Sequence, residues 1–95
     1  ICMDFIRCET GSLESSDCLV TVEPSNNFSI DIKSTVDRQF YNSILTDIKK
    51  TLEKWCKDNN INNPLIKITI DDRGALTFAI KARVYTALNR SANIV

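Results

Sequence analysis

Three serines, Ser12, Ser15 and Ser16, lie in the stretch GSLESSD (11–17). A serine oxygen does chemistry either as a nucleophile armed by a neighbouring base or as a point to which another protein attaches something. The chain contains no histidine, so a Ser-His-Asp arrangement is excluded. No lysine spacing suggests a Ser-Lys pair. Asp71 and Asp72 are adjacent at the end of an alternating run, which sends their side chains to opposite faces and suits a turn better than paired acid–base work. Cys2, Cys8, Cys18 and Cys56 contain no CxxC, so zinc spacing is absent and no metal site is expected. Gly74 stands alone, without a phosphate-loop pattern, and reads as a turn residue. The chain thus shows no self-sufficient active site. In GSLESSD the choice is between turn-forming serines and a hydroxyl offered to another protein's active site. Small neighbours help such an entry, Glu14 and Asp17 supply solvation and a charged handle, and Leu13 is expected to tack the loop down.

The elements that must position this loop come from a chain of 95 residues, enough for one core and not for two. With 43% hydrophobic residues and only two glycines and two prolines, an ordered globular domain is expected. The formal net charge is zero, which gives no general pull toward nucleic acid or anionic membrane. Charge is nevertheless uneven. Residues 1–32 hold Asp4, Glu9, Glu14, Asp17, Glu23 and Asp31 against Arg7, whereas Arg73, Lys81, Arg83 and Arg90 face no acid after residue 72. Two solvated, mutually attracting faces are the simple reading, and docking to a partner is the other. Without a signal-peptide pattern or an apolar run of membrane-spanning length, the expectation is a cytoplasmic protein with reduced thiols.

CLVTVE (18–23) alternates, placing Cys18, Val20 and Val22 on one face, and Pro24 closes it. FSIDIK (28–33) alternates after PSNN, with Phe28, Ile30 and Ile32 inward, so the two runs read as a hairpin. A helix over 35–58 follows, capped by Ser34 with Asp37 in its first turn. Its apolar stripe is Val36, Phe40, Ile44, Ile48, Leu52 and Trp55, flanked by Leu45 and Cys56, with Trp55 as core. DNNINNP ends it. LIKITID (65–71) and ALTFAIKA (75–82) around DRG read as a second hairpin, with Leu76, Phe78 and Ile80 inward, and a second helix runs over 82–92. The boundary near 80–83 fits strand and helix equally. The expected fold is α+β in two layers: a four-stranded antiparallel sheet in hairpin–helix–hairpin–helix order, with both helices on one face. Residues 1–10 read as an arm and 11–95 as the domain.

GSLESSD, VTVEP, VDRQF (36–40) and DDRGALTFAIKARVYTAL (71–88), in this order and spacing, resemble the citrate lyase acyl carrier protein family over Gly11 to Ala92. The N-terminal ten residues match less well, and the cysteines are not part of the pattern. The resemblance implies a carrier rather than an enzyme. It places the family's prosthetic group, 2′-(5″-phosphoribosyl)-3′-dephospho-CoA, on Ser15 through a phosphodiester made by a dedicated transferase. Ser16 is where the family also allows glycine. The arm's thiol would hold acetyl and then citryl as thioesters, exchanged on the α subunit and cleaved to oxaloacetate on a magnesium-dependent β subunit. Strand content sets the chain apart from helical-bundle acyl carriers. Two other readings remain at this level: the carrier of a related complex such as citramalate lyase or malonate decarboxylase, and a small α+β module that binds nucleic acid or protein through its basic C-terminal part.

Overall fold

Period-two alternation builds the centre of the molecule. The computed structural model describes residues 4–34 and 40–93. Its elements run β1 (Cys8–Gly11), β2 (Cys18–Pro24), β3 (Ser29–Ser34), α1 (Tyr41–Asp58), β4 (Ile66–Asp72) and α2 (Thr77–Ser91). In β2, Cys18, Val20 and Val22 are fully buried, and in β4 Ile66, Ile68 and Ile70 are as well. The register sets Val20 opposite Ile70 and Val22 opposite Ile68, so one face of the sheet is continuous and apolar. Burying each of these side chains contributes about 1.5–3 kcal/mol. The opposite face carries Thr21, Glu23, Lys67, Thr69 and Asp31, as alternation requires.

Both helices cover the apolar face. Ile44, Ile48, Leu52 and Trp55 of α1 recur at threes and fours and are buried, as are Ile80, Val84, Ala87 and Leu88 of α2. Trp55 is a core residue, as its place in the stripe requires. Its indole Nε1–H donates to Asn89 Oδ1 at 2.8 Å, which joins the two helices and leaves no buried donor unpaired. A second strap is exposed: Tyr85 donates to Asp58 Oδ2 at 2.8 Å, and Lys54 pairs with the same carboxylate at 2.9 Å. Asparagine ends α1 as expected, with Asn60 and Asn63 both at positive φ.

The sheet is mixed rather than antiparallel, and the two expected hairpins are replaced by one. Strand order is β1-β2-β4-β3, with β1–β2 and β2–β4 antiparallel and β3–β4 parallel. β2 and β3 are therefore not paired; β4 lies between them. Alternation marks a strand's buried face but not its neighbour. β4, buried at every second residue from Ile66 to Asp72, takes a central place, whereas Ile30 and Ile32 of β3 are only half-buried at the edge. A parallel β3–β4 pair needs a long crossover, which α1 supplies. Phe28, expected inside, stays outside β3 and is 37% exposed.

The second expected hairpin fails at 75–82. There the chain is already helical from Thr77, and Leu76 and Phe78 are 64% and 71% exposed. The spacing Ile80–Val84–Ala87–Leu88–Ser91 outweighs the short 76–78–80 alternation, because a helix gives Ile80 and Val84 the same buried face. The fourth strand comes instead from Cys8–Gly11, which begins inside the segment read as an arm, 1–10, and ends at Gly11. The start of α1 also differs. Phe40 is its N-cap and is 49% exposed rather than part of the stripe, while Ser34 ends β3. Val36 and Asp37 lie outside the described residues.

Candidate functional site: the 12–17 loop

The only connection between β1 and β2 is the stretch 12–17, and its two ends meet where the sheet stops. Gly11 is opposite Leu19, and Ser12 N–H donates to Cys18 O at 3.1 Å. Gly11 has φ of +89°, and a Cβ there would stand 1.8 Å from the Cys18 carbonyl oxygen. Only glycine fits this approach. Ser16 takes φ of +66° at the other side of the loop.

Asp17 organises the interior of the turn. Its carboxylate accepts from Ser12 Oγ–H at 2.7 Å and from the Cys18 amide at 2.8 Å, and it pairs with Arg83 of α2 at 3.4 Å. These partners, the Ser12 hydroxyl first, hold its carboxyl below the usual carboxylate range. Asp17 is thus an internal brace, not the free charged handle expected from sequence. Burial, helped by the Asp17 and Asp72 carboxylates, pushes the neighbouring Cys18 thiol up to about 11.

The loop rests on the β4–α2 turn. Ser16 N–H donates to Arg73 O and Arg73 N–H to Asp17 O, both at 2.9 Å. That turn is itself built by Asp72, whose Oδ1 accepts the Gly74 and Ala75 amides at 3.1 and 2.9 Å. Asp71, on the other face, pairs with Arg73 at 3.0 Å. The two aspartates therefore point apart, as their adjacency predicts, and each serves the turn.

The three serines now separate. Ser12 is half-buried and committed, since its hydroxyl donates to Asp17 and accepts from the Glu14 amide at 3.3 Å. Ser15 and Ser16 are exposed, and Ser16 is the one with the left-handed backbone. Ser15 stands at the outer part of the turn, and its hydroxyl bonds no other described residue. Leu13 is 51% exposed, so it does not tack the loop to the domain. Glu14 remains a solvated carboxylate. The residues that sequence reasoning left out are Arg83, Arg73, Thr10 and Gly11. For the two arginines the excess of bases after residue 72 was the visible signal, and, in line with the simple reading of mutually attracting faces, it yields the Arg83–Asp17 ion pair; Thr10 and Gly11 gave none.

Among the described residues no group of three or more histidine, cysteine or carboxylate side chains could hold a metal ion. No described helix is long and apolar enough to cross a membrane. Cys8, Cys18 and Cys56 are free thiols. The loop therefore offers an accessible hydroxyl on a braced turn, with no described group bonded to it.

Known proteins resemble the chain over nearly all of its length. Residues 7–91 match the acyl-carrier family described as the malonate decarboxylase delta subunit. The citrate lyase acyl carrier protein of Halothermothrix orenii is 46% identical over 83 residues, covering 86% of this chain and 82% of that protein. That of Clostridium perfringens is 43% identical over 86 residues, covering 88% and 79%. In three dimensions the chain resembles a Pseudomonas malonate decarboxylase hetero-tetramer solved with malonate, with a TM-score of 0.64 over 95% of this chain and 84% of that one. At 21% identity the latter likeness speaks for the fold alone. The match across 7–91 and these identities make the chain a member of the acyl-carrier family that comprises the citrate lyase acyl carrier proteins and the malonate decarboxylase delta subunit.

Proposed function

We propose that this chain is the acyl carrier of a citrate lyase complex, loaded on Ser15 and catalytically silent by itself. The observation that carries the reading is the exposed Ser15 hydroxyl, bonded to no other described residue, in a chain of the acyl-carrier family. Family membership implies a covalently bound prosthetic group. The loop fits such a group: Ser15 Oγ opens to solvent, nothing on the loop must be displaced, and the backbone beneath it is fixed from both sides. The specific group we assign is 2′-(5″-phosphoribosyl)-3′-dephospho-CoA, whose terminal thiol would supply a thioester linkage for the acyl unit. Tethering keeps that unit at high effective concentration near two active sites in turn. The protein's own part is to present one oxygen, keep the loop shape constant, and dock on an acyltransferase (α) and a lyase (β) subunit. Attachment itself falls to a transferase, because neither loop carboxylate bonds the Ser15 hydroxyl. A cytoplasmic setting belongs to the same reading.

A second reading is the carrier of malonate decarboxylase, favoured by the description of the matched family. The identities to citrate lyase carriers rank it second. The test is the intact mass of the chain after incubation with the transferase and the activated arm, followed by fragmentation. One added arm on Ser15, absent from Ser15→Ala, is the expected result. A chain that stays unmodified would end the carrier reading. Reconstitution of the loaded chain with each pair of catalytic subunits then distinguishes citrate cleavage from malonate decarboxylation.

A further inference from the structure

Arg83 of α2 touches both stems of the 12–17 loop. Before the loop, its backbone carbonyl accepts the hydroxyl of Thr10 at 2.7 Å, and its Cδ lies 3.4 Å from where a Cβ on Gly11 would be. After the loop, its guanidinium reaches Asp17 through Nε and Nη2, each at 3.4 Å. Thr10 is buried, so the first contact is fixed by the fold. The second is half-exposed and rests on a carboxylate already held by Ser12 and the Cys18 amide. Glu14 and Arg73 are the other charges near the loop. The Glu14 carboxylate has no partner among the described residues, and the Arg73 guanidinium is taken up by Asp71.

We propose that Arg83 is a positioning residue for Ser15: it clamps the loop onto α2 so that the serine oxygen meets the transferase in one orientation. The inference rests on Ser15 being the attachment point. In the attachment step Ser15 Oγ forms a bond to phosphorus of a phosphoanhydride-activated arm. The phosphoanhydride bond breaks, its phosphate side departs with the electron pair, and the hydroxyl proton passes to the transferase. Holding Ser15 in one place raises the rate of such a bimolecular step without changing its chemistry. A loop released from α2 presents the same hydroxyl in many orientations, which lowers the rate on a productively bound chain.

The substitution to make is Arg83→Met, which keeps the aliphatic stem beside Gly11 and the backbone acceptor for Thr10 and removes only the charge. Arg83→Lys is its conservative partner. Attachment is followed by intact mass on the apo chain with transferase and activated arm, alongside thermal unfolding and amide exchange of residues 12–17. The expected result is roughly a tenfold fall in the kcat of attachment for Arg83→Met with a smaller change in KM, faster exchange in the loop, and a melting point within a few degrees of the parent. Arg83→Lys should recover most of the loss. Attachment to Arg83→Met at the parental rate, with Ser15→Ala unmodified, would overturn the clamp and leave the carrier reading intact. A loss of rate matched by an equal loss of melting temperature, not recovered by lysine, would also overturn it. Modification of Ser15→Ala would instead remove the Ser15 assignment itself.

Discussion

Asp17 carries the most consequence for one side chain. Sequence placed it in GSLESSD as an acid on a loop, and its inward turn was not visible there, because it depends on how the chain folds back onto Ser12 and on Arg83, 66 residues away. The exposure of Ser15 could be expected from its place in a short polar loop, a local property; the commitment of Ser12 could not, since it depends on that inward turn. The depressed carboxyl of Asp17 has a pH consequence. A group whose folded pKa lies below its unfolded one contributes stability above the unfolded value, here 3.8, and loses it as pH falls through the lower folded value. Chemical shifts of the amides at 12–18 should therefore move together below pH 3.8, ahead of global acid unfolding, in a titration followed by NMR. Asp17→Asn should abolish that local transition and speed exchange at Cys18 even at neutral pH. A loop that titrates identically in both proteins would show that the carboxylate does not brace it.

Elements were read well where the apolar period was long and poorly where two periods overlapped. α1 declared itself through Ile44, Ile48, Leu52 and Trp55, and β2 and β4 through clean alternation. At 75–82 Leu76, Phe78 and Ile80 also alternate, and only the continuation to Val84, Ala87 and Leu88 decides for helix. Strand order was beyond reach because alternation marks a buried face and not a neighbour, and the parallel pairing of β4 with β3 depends on the crossover through α1. The turn between β4 and α2 is held by Asp72, buried with the apolar layer yet accepting the amides of Gly74 and Ala75. Asp72→Ala removes the acceptor from both amides and should cost about 1–3 kcal/mol in urea unfolding. Asp72→Asn keeps an oxygen in place and should cost less. Equal losses for the two would mean that the acceptor role is not what holds the junction.

At the scale of the whole molecule, the ends of the described chain close on each other. Ile6 N–H donates to Ser91 O at 2.8 Å, the Ser91 hydroxyl donates back to Ile6 O, and the Phe5 ring lies 6.2 Å from that of Trp55. Two residues later the chain enters β1, whose Thr10 bonds Arg83 and whose Gly11 opens the 12–17 loop. Residues 5–10, read from sequence as part of an arm, therefore cover Trp55, pair with β2 and hold the loop's first stem. The misreading has a physical source: β1 is four residues long, and only Thr10 within it is buried, too short a pattern for alternation to register. A chain beginning at Ser12 should lose the Phe5 contact, the Ser91 bonds and the whole β1–β2 ladder, on the order of 5 kcal/mol from terms of about 1–3 kcal/mol each. Against a typical domain stability of about 5–15 kcal/mol, that leaves the shortened chain marginal. Thermal unfolding by circular dichroism should show a broad, strongly lowered transition, and the transferase should modify Ser15 poorly even at low temperature. A shortened chain that melts with the parent and is loaded at the parental rate would mean that 12–93 contains the complete carrier, with β1 only resting on its edge.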